Sequence, residues 1–506
     1  MIPLAQTSQT TTVPAPVKGL NFKSPLSAMQ PGYAIVLDNL VCRPTHLEVR
    51  KGWQPHVTGF VATVETLVPY AANAGSLSLF AAAGAGIYDV TTAGALGAAV
   101  ASGFTSAYWS YTTVSNIGGN VLIMVNGADA GQSYNGTTWG AWSITGVAST
   151  ALNFVTVWKR RLWAIEKDTF RAWYLATDAV SGAMTSFDFK AIFTRGGYLV
   201  ALINWTIDGG QGADDLFLAV SSEGEVAVYA GTDPASASTF ALKGLYFVGK
   251  PLGQRCFSKY GGDVVLLTTG GLVPFSKYLQ STGIDRTTFF TDTIQNKLRE
   301  EIETYAATPG WEVVTFLEQN LLLLHVPAAD GSRYQYVMNT DTGAWTRFLL
   351  SDVETFCVYN GALFAGDATQ VRNAWTGALD DEDPIRYRMV TAFSYFGAPS
   401  RGKHMLMTRL TMRASGAPQY MAKAIFEFDL NINFPSQSST PAGAALWGTA
   451  VWGTDIWGGS TVFYRKWLGL SGFGTAAALA VEGVNVHTVF EIVSIEYLYR
   501  VGGILG

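Results

Sequence analysis

The sequence predicts an all-β fold, a β-propeller of six or seven blades with an additional C-terminal all-β domain. Seven short apolar segments run through the middle of the chain and begin roughly 40 to 57 residues apart, a period typical of propeller blades. Each is bounded by turn residues and is followed by a second strand-like segment. The seven segments are residues 77–80, 121–125, 162–165, 216–220, 264–267, 321–325 and 362–365.

Tight turns connect the strands within the repeats and set their direction. Asn126-Gly127 follows the second apolar segment, and this pair favours a hairpin because both residues tolerate positive φ. Asp330-Gly331 marks a similar turn in the sixth repeat. Strands joined by such short turns are antiparallel, so we expect the blades to fold as meanders.

One helix is predicted among these strands, over residues 292–305. Asp292 is placed to cap its N-terminus, with Gln295 three residues later as in a capping box. Apolar residues recur at helical spacing with charged residues on the other side, which predicts a helix packed on one blade. The apolar residues are Ile294, Leu298, Ile302 and Tyr305, and the charged residues are Lys297, Arg299, Glu300 and Glu301.

The repeat ends near an acidic run, residues 380–383, which Pro384 follows. We therefore divide the chain into an N-terminal arm and strand segment (residues 1–54), a β-propeller (55–382) and a C-terminal β domain (383–506). For the acidic run, a solvated linker is a better explanation than a cation site, because runs of like charge usually face solvent. We expect the flanking segments 19–53 and 384–506 to come together and to make most contacts with other subunits.

The composition restricts the class of function. Only 14% of residues are charged, against roughly 25% in an average soluble chain, while 48% are hydrophobic. A large β core and a surface buried between subunits both explain this balance. The net charge is −5 and no block of five basic residues occurs, which argues against tight binding to nucleic-acid phosphates.

The cysteines and the hydropathy pattern argue against a disulfide-stabilised or metal-binding protein and against a secreted or membrane-inserted one. Cys42, Cys256 and Cys357 are odd in number and far apart, so they fit neither a disulfide framework nor a metal site, and we expect buried, reduced thiols. The chain opens without a charged and apolar leader, and no stretch of about 18 apolar residues occurs. We therefore expect neither secretion through a signal peptide nor membrane insertion.

No constellation of catalytic residues is evident. The histidines stand alone, and neither a nucleophile elbow nor a phosphate-binding loop occurs. Residues 133–139 and 339–345 approach the aspartate-box turn of sialidase propellers, but such turns are structural. We therefore predict that the chain is not an enzyme and needs no cofactor. The five histidines are His46, His56, His325, His404 and His487.

Acidic residues around a glycine-rich loop come nearest to a metal or glycosidase site. Asp208, Asp214 and Asp215 flank residues 209–212, with a calcium-like composition but without the spacing of an EF-hand loop. A hairpin loop is the better explanation, and no metal is predicted. With Glu223, these are also the acids from which a glycan-cleaving propeller would draw paired carboxylates about 5 to 10 Å apart.

Three Trp-Gly pairs are the most unusual local feature. Trp447, Trp452 and Trp457 are spaced by five residues, which fits neither a helix face nor one face of a strand. Tryptophan is enriched at the centre of protein interfaces, so these three are our candidate interface residues. An internal plug of the last domain and a carbohydrate-binding platform are the alternatives.

Several motifs spread over most of the chain together indicate a family. They are Gly19-Leu20-Asn21, Ser24-Pro25-Leu26, Met29 with Pro31, Ala34 with Leu37-Asp38-Asn39, Val49-Arg50-Lys51-Gly52-Trp53, residues 371–377 with Asp383-Pro384-Ile385, and residues 465–470 with Gly472, Gly474 and the closing strand to Tyr499. With these motifs the chain resembles the tail nozzle proteins of short-tailed bacteriophages, a family also called packaged-DNA stabilization protein or tail tubular protein B.

The resemblance implies a structural protein of the virion tail, assembled in the host cytoplasm. As a homo-hexamer it would form a tube below the portal, contact the adaptor (head-tail connector) protein and bind a tail fibre or spike. It would close the channel over packaged DNA and let double-stranded DNA pass on infection. The alternative is a carbohydrate-acting or carbohydrate-binding propeller, that is, a glycosidase or an adhesin.

Overall fold

The chain forms a ring of seven antiparallel blades around a central channel. This is seen in a computed structural model that describes residues 8–434 and 461–504, apart from residues 74, 209–212, 281–288 and 329–330. Five blades are separate sheets, and the sixth and seventh belong to a fourteen-stranded sheet that continues into the rest of the fold. The predicted propeller with an additional all-β domain is confirmed.

The strands of each blade follow one another outward from the channel. Blade 1 contains Val64–Ala71, Leu77–Ala83, Gly86–Asp89 and Ala101–Ser102, and blade 2 contains Ser110–Asn116, Gly119–Val125, Gln132–Tyr134 and Trp139–Ala141. Blade 3 contains Leu152–Trp158, Arg161–Glu166, Arg171–Tyr174 and Thr185–Asp188, and blade 4 contains Leu199–Asp208, Ala213–Ser221, Glu225–Gly231 and Phe240–Phe247. Blade 5 contains Phe257–Tyr260, Asp263–Thr268 and Gly271–Pro274, and blade 6 contains Glu312–Phe316, Leu321–Pro327, Arg333–Asn339 and Trp345–Phe348.

Blade 7 combines strands from both ends of the propeller. Thr355–Tyr359, Ala362–Gly366 and Gln370–Ala374 come from its C-terminal end, and Trp53–Thr58 completes the blade as its outermost strand. The inner strand of this blade lies beside the inner strand of blade 1. The segment before blade 1 therefore closes the ring, because opening the ring would break the pairing of Trp53–Thr58.

Each of the seven predicted apolar segments lies in the second strand of a blade. That strand has a neighbour on both sides within its sheet and packs between adjacent blades. In blade 6, all seven residues of Leu321–Pro327 are buried. A strand buried on both faces appears in the sequence as a continuous apolar run, which explains why these segments are visible in the sequence.

The two ends of the chain build a second β unit, called here the terminal unit. Ser8–Pro14 pairs with Phe490–Ile504, and Ala34–Asp38 pairs with Asp383–Thr391. The N-terminal segment and the C-terminal domain thus fold together, as expected. The terminal unit has two layers of strands. The first layer is part of the fourteen-stranded sheet and consists of Ala34–Asp38, Asp383–Thr391, Ala477–Asn485 and Gln419–Phe426. The second layer is a separate seven-stranded sheet of Ser8–Pro14, Leu40–Cys42, Leu47–Val49, Phe490–Ile504, Arg401–Ala414, Val462–Gly469 and Phe473–Gly474.

The predicted helix is confirmed as Gln295–Tyr305, after a 3-10 turn at Asp292–Ile294. Ile294, Leu298 and Ile302 are buried in a core shared by the terminal unit and blades 5 and 6. Two details of the helix prediction were wrong, the residue that caps the helix and the exposure of Glu301. The Asp292 carboxylate accepts a hydrogen bond from Lys23 Nζ at 2.7 Å and does not cap the helix. Glu301 is buried, because the Tyr336 hydroxyl donates to it at 3.0 Å.

Short elements complete the described part of the chain. None of its helices is long and apolar enough to cross a membrane. The remaining elements are the helix Ser276–Gln280, the 3-10 turns Leu26–Ala28, Ser149–Ala151 and Leu317–Gln319, and the strands Gly94–Ala95, Ile144–Thr145, Gly182–Ala183 and Leu379–Asp380.

Candidate functional site

The central channel of the propeller is a cavity of about 600 Å³ to which all seven inner strands contribute. Each inner strand pairs with another strand on one side only, so its second edge faces the channel. Some backbone groups on these edges bind side chains, as the Phe356 N–H does with Glu312 at 3.1 Å and the Val157 carbonyl with Asn204 at 2.9 Å. Hydroxyl and amide side chains add to this polar lining. They include Thr112, Thr156, Asn204, Ser258 and Thr315.

One arginine connects five of the seven blades across the channel. Arg255, just before the inner strand of blade 5, donates to the Thr66 hydroxyl at 2.7 Å and to the backbone oxygen of Glu65 at 2.9 Å, both in blade 1. It also donates to the Thr355 hydroxyl of blade 7 at 3.1 Å. Its guanidinium lies 4.1 Å from the ring centroid of Tyr108, at the entrance to blade 2.

Glu312 of blade 6 balances the charge of this arginine. A carboxylate oxygen lies 3.5 Å from the guanidinium and also accepts hydrogen bonds from the Thr355 hydroxyl at 3.2 Å. Burial raises the pKa of Glu312 above its ordinary value, and the nearby Arg255 opposes this rise. Glu312 is the one carboxylate among the described residues that line the channel. The channel lining therefore carries the Arg255–Glu312 ion pair and the exposed Lys259, and its described residues include no second acid for hydrolysis.

The acids named from the sequence do not form a catalytic pair in the described part of the chain. Asp215 forms an ion pair with Lys159 and accepts from the Thr206 hydroxyl at 2.9 Å, and the bond from Lys159 is the main reason for its lowered pKa. Glu223 lies 2.7 Å from Lys250 Nζ. The side chains of Asp208 and Asp214 and the loop 209–212 lie outside the described residues.

The two turns that resemble an aspartate box are structural, as predicted. The Asn135 side chain accepts from the backbone N–H groups of Thr137 and Thr138 at 3.0 and 2.9 Å, which shapes the turn. In the second turn, Asn339 accepts from the N–H of Asp341 at 2.9 Å. The buried Trp345 that follows donates its indole N–H to the Phe290 carbonyl at 2.7 Å, and so anchors the blade.

The thiols and the histidines are also structural where the structure shows their environment. The three cysteines are free and buried, as expected. Burial raises the pKa of each thiol, that of Cys256 to about 12. Burial also lowers the pKa of His325 to about 3, so its imidazole is neutral at ordinary pH. Among the described residues, no group of three histidine, cysteine or acidic side chains is placed to hold a metal ion.

The acidic run is a tight turn between the propeller and the terminal unit. Asp380 pairs with Asp383 across the turn, between Leu379–Asp380 and Asp383–Thr391. Arg50 binds both carboxylate oxygens of Asp380, at 2.7 and 2.6 Å. The carboxylates of the other three residues are exposed, as the expectation of a solvated linker requires.

Trp447, Trp452 and Trp457 lie outside the described residues, so their role as interface residues stays a prediction. Sequence reasoning missed Arg255, because an arginine next to a cysteine at the start of a strand has no local signature. The only available signal was its position just before the fifth apolar repeat.

The fold and the channel define a class of protein, a seven-bladed propeller joined to a β unit built from both chain ends. No family model matches the chain, and no curated protein matches it. Among solved structures, the computationally designed Ika8 protein is 12% identical with a TM-score of 0.36, over 64% of this chain and all of that chain. BBS1N in complex with ARL6DN is 10% identical with a TM-score of 0.38, over 64% and 98% of the two chains. Raptor of Chaetomium thermophilum is 10% identical with a TM-score of 0.35, over 66% and 29%. These similarities support no inference about function.

Proposed function

We propose that this chain is a structural virion protein, one of six copies that form the tail nozzle of a short-tailed bacteriophage. The proposal rests on the family resemblance of the sequence and on one structural observation. The propeller is closed on itself, whereas the terminal unit leaves an apolar strand edge exposed at Val462 and Phe463. A subunit of an assembly needs such a surface for its neighbours.

The channel supports a place for DNA outside the propeller. A cavity of about 600 Å³ has room for only about 20 water molecules at roughly 30 Å³ each. The Arg255 contacts with five blades cross this space. In the proposed nozzle, double-stranded DNA passes through the opening that the copies enclose. The propellers form the wall of this opening, and no DNA enters their own channels.

The charge of the chain is compatible with DNA that slides. The net charge is −5, and two arginines of the terminal unit are paired within their own sheet, Arg409 with Glu496 and Arg413 with Glu491. Each phosphate contact would add affinity and salt dependence. We propose the adaptor protein and a tail fibre or spike as further partners, the virion tail as the location, and the host cytoplasm as the place of assembly.

The carbohydrate-acting alternative finds no support among the described residues. Asp215 and Glu223 are each paired with a lysine, and Glu312 is paired with Arg255. A glycosidase needs one carboxylic acid and one carboxylate facing a shared cleft. No such pair faces the channel in the described part of the chain.

Native mass spectrometry and negative-stain imaging of the purified chain test the proposal. We expect a ring of six copies with an axial opening, in equilibrium with monomer at low concentration. A chain that stays monomeric at every concentration contradicts the proposal. A monomer that also binds or cleaves an oligosaccharide would favour the alternative.

A further inference from the structure

One strand of the terminal unit has an unpaired side. Val462–Gly469, called here the edge strand, pairs with Arg401–Ala414 and with no other strand in the described ranges. None of its eight residues is buried, whereas most residues of its neighbour are. Val462 and Phe463 leave 48% and 62% of their surface exposed. An exposed apolar edge strand is a template for contact with another chain.

The same side of the sheet is apolar further along. Phe473–Gly474 pairs with Arg401–Ala414 on the side that the edge strand also occupies, opposite Lys403 and His404. The Phe473 ring remains 50% exposed. The edge strand and Phe473 together form one border of the sheet, called here the edge surface.

The edge surface carries positive charge without compensation in its own sheet. Arg465 and Lys466 are exposed, and no ion pair joins either of them to an acidic side chain within the described residues. On the neighbouring strands, Arg409 and Arg413 each have a glutamate partner. The two basic residues of the edge strand are therefore available to a partner.

A surface of opposite charge lies on the other sheet of the same chain. Asp381, Glu382 and Asp383 of the acidic turn are exposed, and no cationic side chain pairs with them in the described part of the chain. Arg50 engages only Asp380. Asp381 has a φ of 58°, which is typical of a tight turn, so the three exposed acidic residues are consecutive on one short turn.

We infer that the edge surface of one copy docks against the acidic turn of a second copy, and that this contact repeats around the ring. The inference rests on the proposed function. Two different surfaces on each copy make a head-to-tail contact, and such contacts close into a ring when the rotation between copies allows it. The apolar side chains supply buried area, and the opposite charges select the partner and the register.

Charge reversal on each surface tests this contact. The first variant carries Arg465→Glu and Lys466→Glu, and the second carries Glu382→Lys and Asp383→Lys. Each variant alone brings like charges together, so we expect at least a tenfold rise in the concentration needed for ring formation, measured by native mass spectrometry and sedimentation. An equal mixture should restore the ring, because the two variants can alternate: an acidic edge strand then meets a basic turn at one contact, and the original basic edge strand meets the original acidic turn at the next.

Controls separate folding from assembly. All four positions are exposed and lack an ion pair in the described part of the chain, so circular dichroism and thermal unfolding should match the unmodified protein. A matched control carries Lys190→Glu, in the loop between blades 3 and 4, and Lys243→Glu, in the outermost strand of blade 4. Both positions are exposed, and this control should form rings normally.

The outcomes distinguish this contact from the proposed function. If the unmodified chain forms rings and both variants form them equally well, the contact is wrong and the nozzle proposal stands. A mixture that fails to restore the ring also overturns the contact. If the unmodified chain forms no ring, the proposed function and the contact fail together.

Discussion

The guanidinium of Arg255 and the hydroxyl of Thr66 form a hydrogen bond of 2.7 Å between residues 189 positions apart in the sequence. Thr66 is also bound to the segment that leads into blade 2. Its hydroxyl donates to the Ala107 carbonyl at 2.7 Å and accepts from the Trp109 N–H at 3.0 Å. Blades 1, 2 and 5 are thereby joined across the channel, in addition to the contacts between adjacent blades. The ring is thus closed twice, at its rim by Trp53–Thr58 and at its centre by Arg255.

Removal of the central arginine should weaken the propeller. Arg255→Met leaves the buried Glu312 carboxylate without its cation and removes the hydrogen bonds that Arg255 donates to the hydroxyls of Thr66 and Thr355. We expect the free energy of unfolding to fall by about 3 kcal/mol. Denaturant unfolding measures this loss. Arg171→Met, at an exposed pair with Glu166, is the control and should change stability by less than about 1 kcal/mol.

A double variant examines the reason for that loss. If an unpaired buried charge is responsible, Arg255→Met with Glu312→Gln should be more stable than Arg255→Met alone. If the double variant is only as stable as Arg255→Met, or less stable, Glu312 does not compensate the charge of the arginine.

Glu225 should give the propeller a dependence on acid pH. Its carboxylate is buried and accepts from the N–H and hydroxyl of Thr194 and from the N–H of Arg195. Burial alone would raise its pKa, but these hydrogen bonds outweigh burial and lower the pKa below the ordinary value of 4.5. Ionised Glu225 therefore stabilises the fold above that value, and the stabilisation is lost as the pH falls through the lower pKa of the folded state.

Comparison with Glu225→Gln isolates this group from other acids. At pH 7 the variant should be less stable by about 2 kcal/mol, because it loses hydrogen bonds to a charged acceptor. The difference should shrink as the pH falls below 4.5, because the wild-type carboxyl becomes protonated first in the unfolded chain and then, at its lower pKa, in the folded chain. A difference that stays constant down to pH 2.5 would contradict the proposed ionisation of Glu225 in the folded chain.

The period of the propeller could be predicted, because it comes from local sequence. Each second strand is apolar on both faces, and each turn carries its own glycine or asparagine. The terminal unit could not be assigned its sheets in the same way, since Ser8 lies opposite Arg500 and Ala34 lies opposite Thr391. Pairing across such separations leaves no local pattern.

The buried polar contacts also could not be predicted from the sequence. Glu301 lies three residues after Leu298, on the buried face of the helix, where the hydroxyl of the distant Tyr336 donates to its carboxylate. Arg255 needs partners from four other blades. In both cases the environment that decides the role of a charged residue is assembled by the fold.

Gly52 of the Val49-to-Trp53 motif should be intolerant of a side chain. A Cβ at this position would lie 1.7 Å from the carbonyl oxygen of Leu379, where the closing strand begins beside the acidic turn. We expect Gly52→Ala to lower the free energy of unfolding by about 2 kcal/mol or more, because the backbone of the turn must move. Gly140→Ala is the control, since a Cβ there would meet no atom within 4 Å, and it should be nearly neutral. Equal stability of the two variants would show that the strand and the turn are not in close contact.

The three tryptophans give the last test of assembly through the terminal unit. Tryptophan at the centre of an interface is worth about 2 kcal/mol or more on truncation, and a ring repeats that loss at every copy. Replacing Trp447, Trp452 and Trp457 together with alanine should therefore leave a folded, soluble propeller that no longer forms rings. Thermal unfolding would report the intact propeller, and native mass spectrometry would report the lost ring. If the variant assembles normally, these tryptophans fill a core or decorate the surface, and assembly depends on other surfaces such as the edge strand.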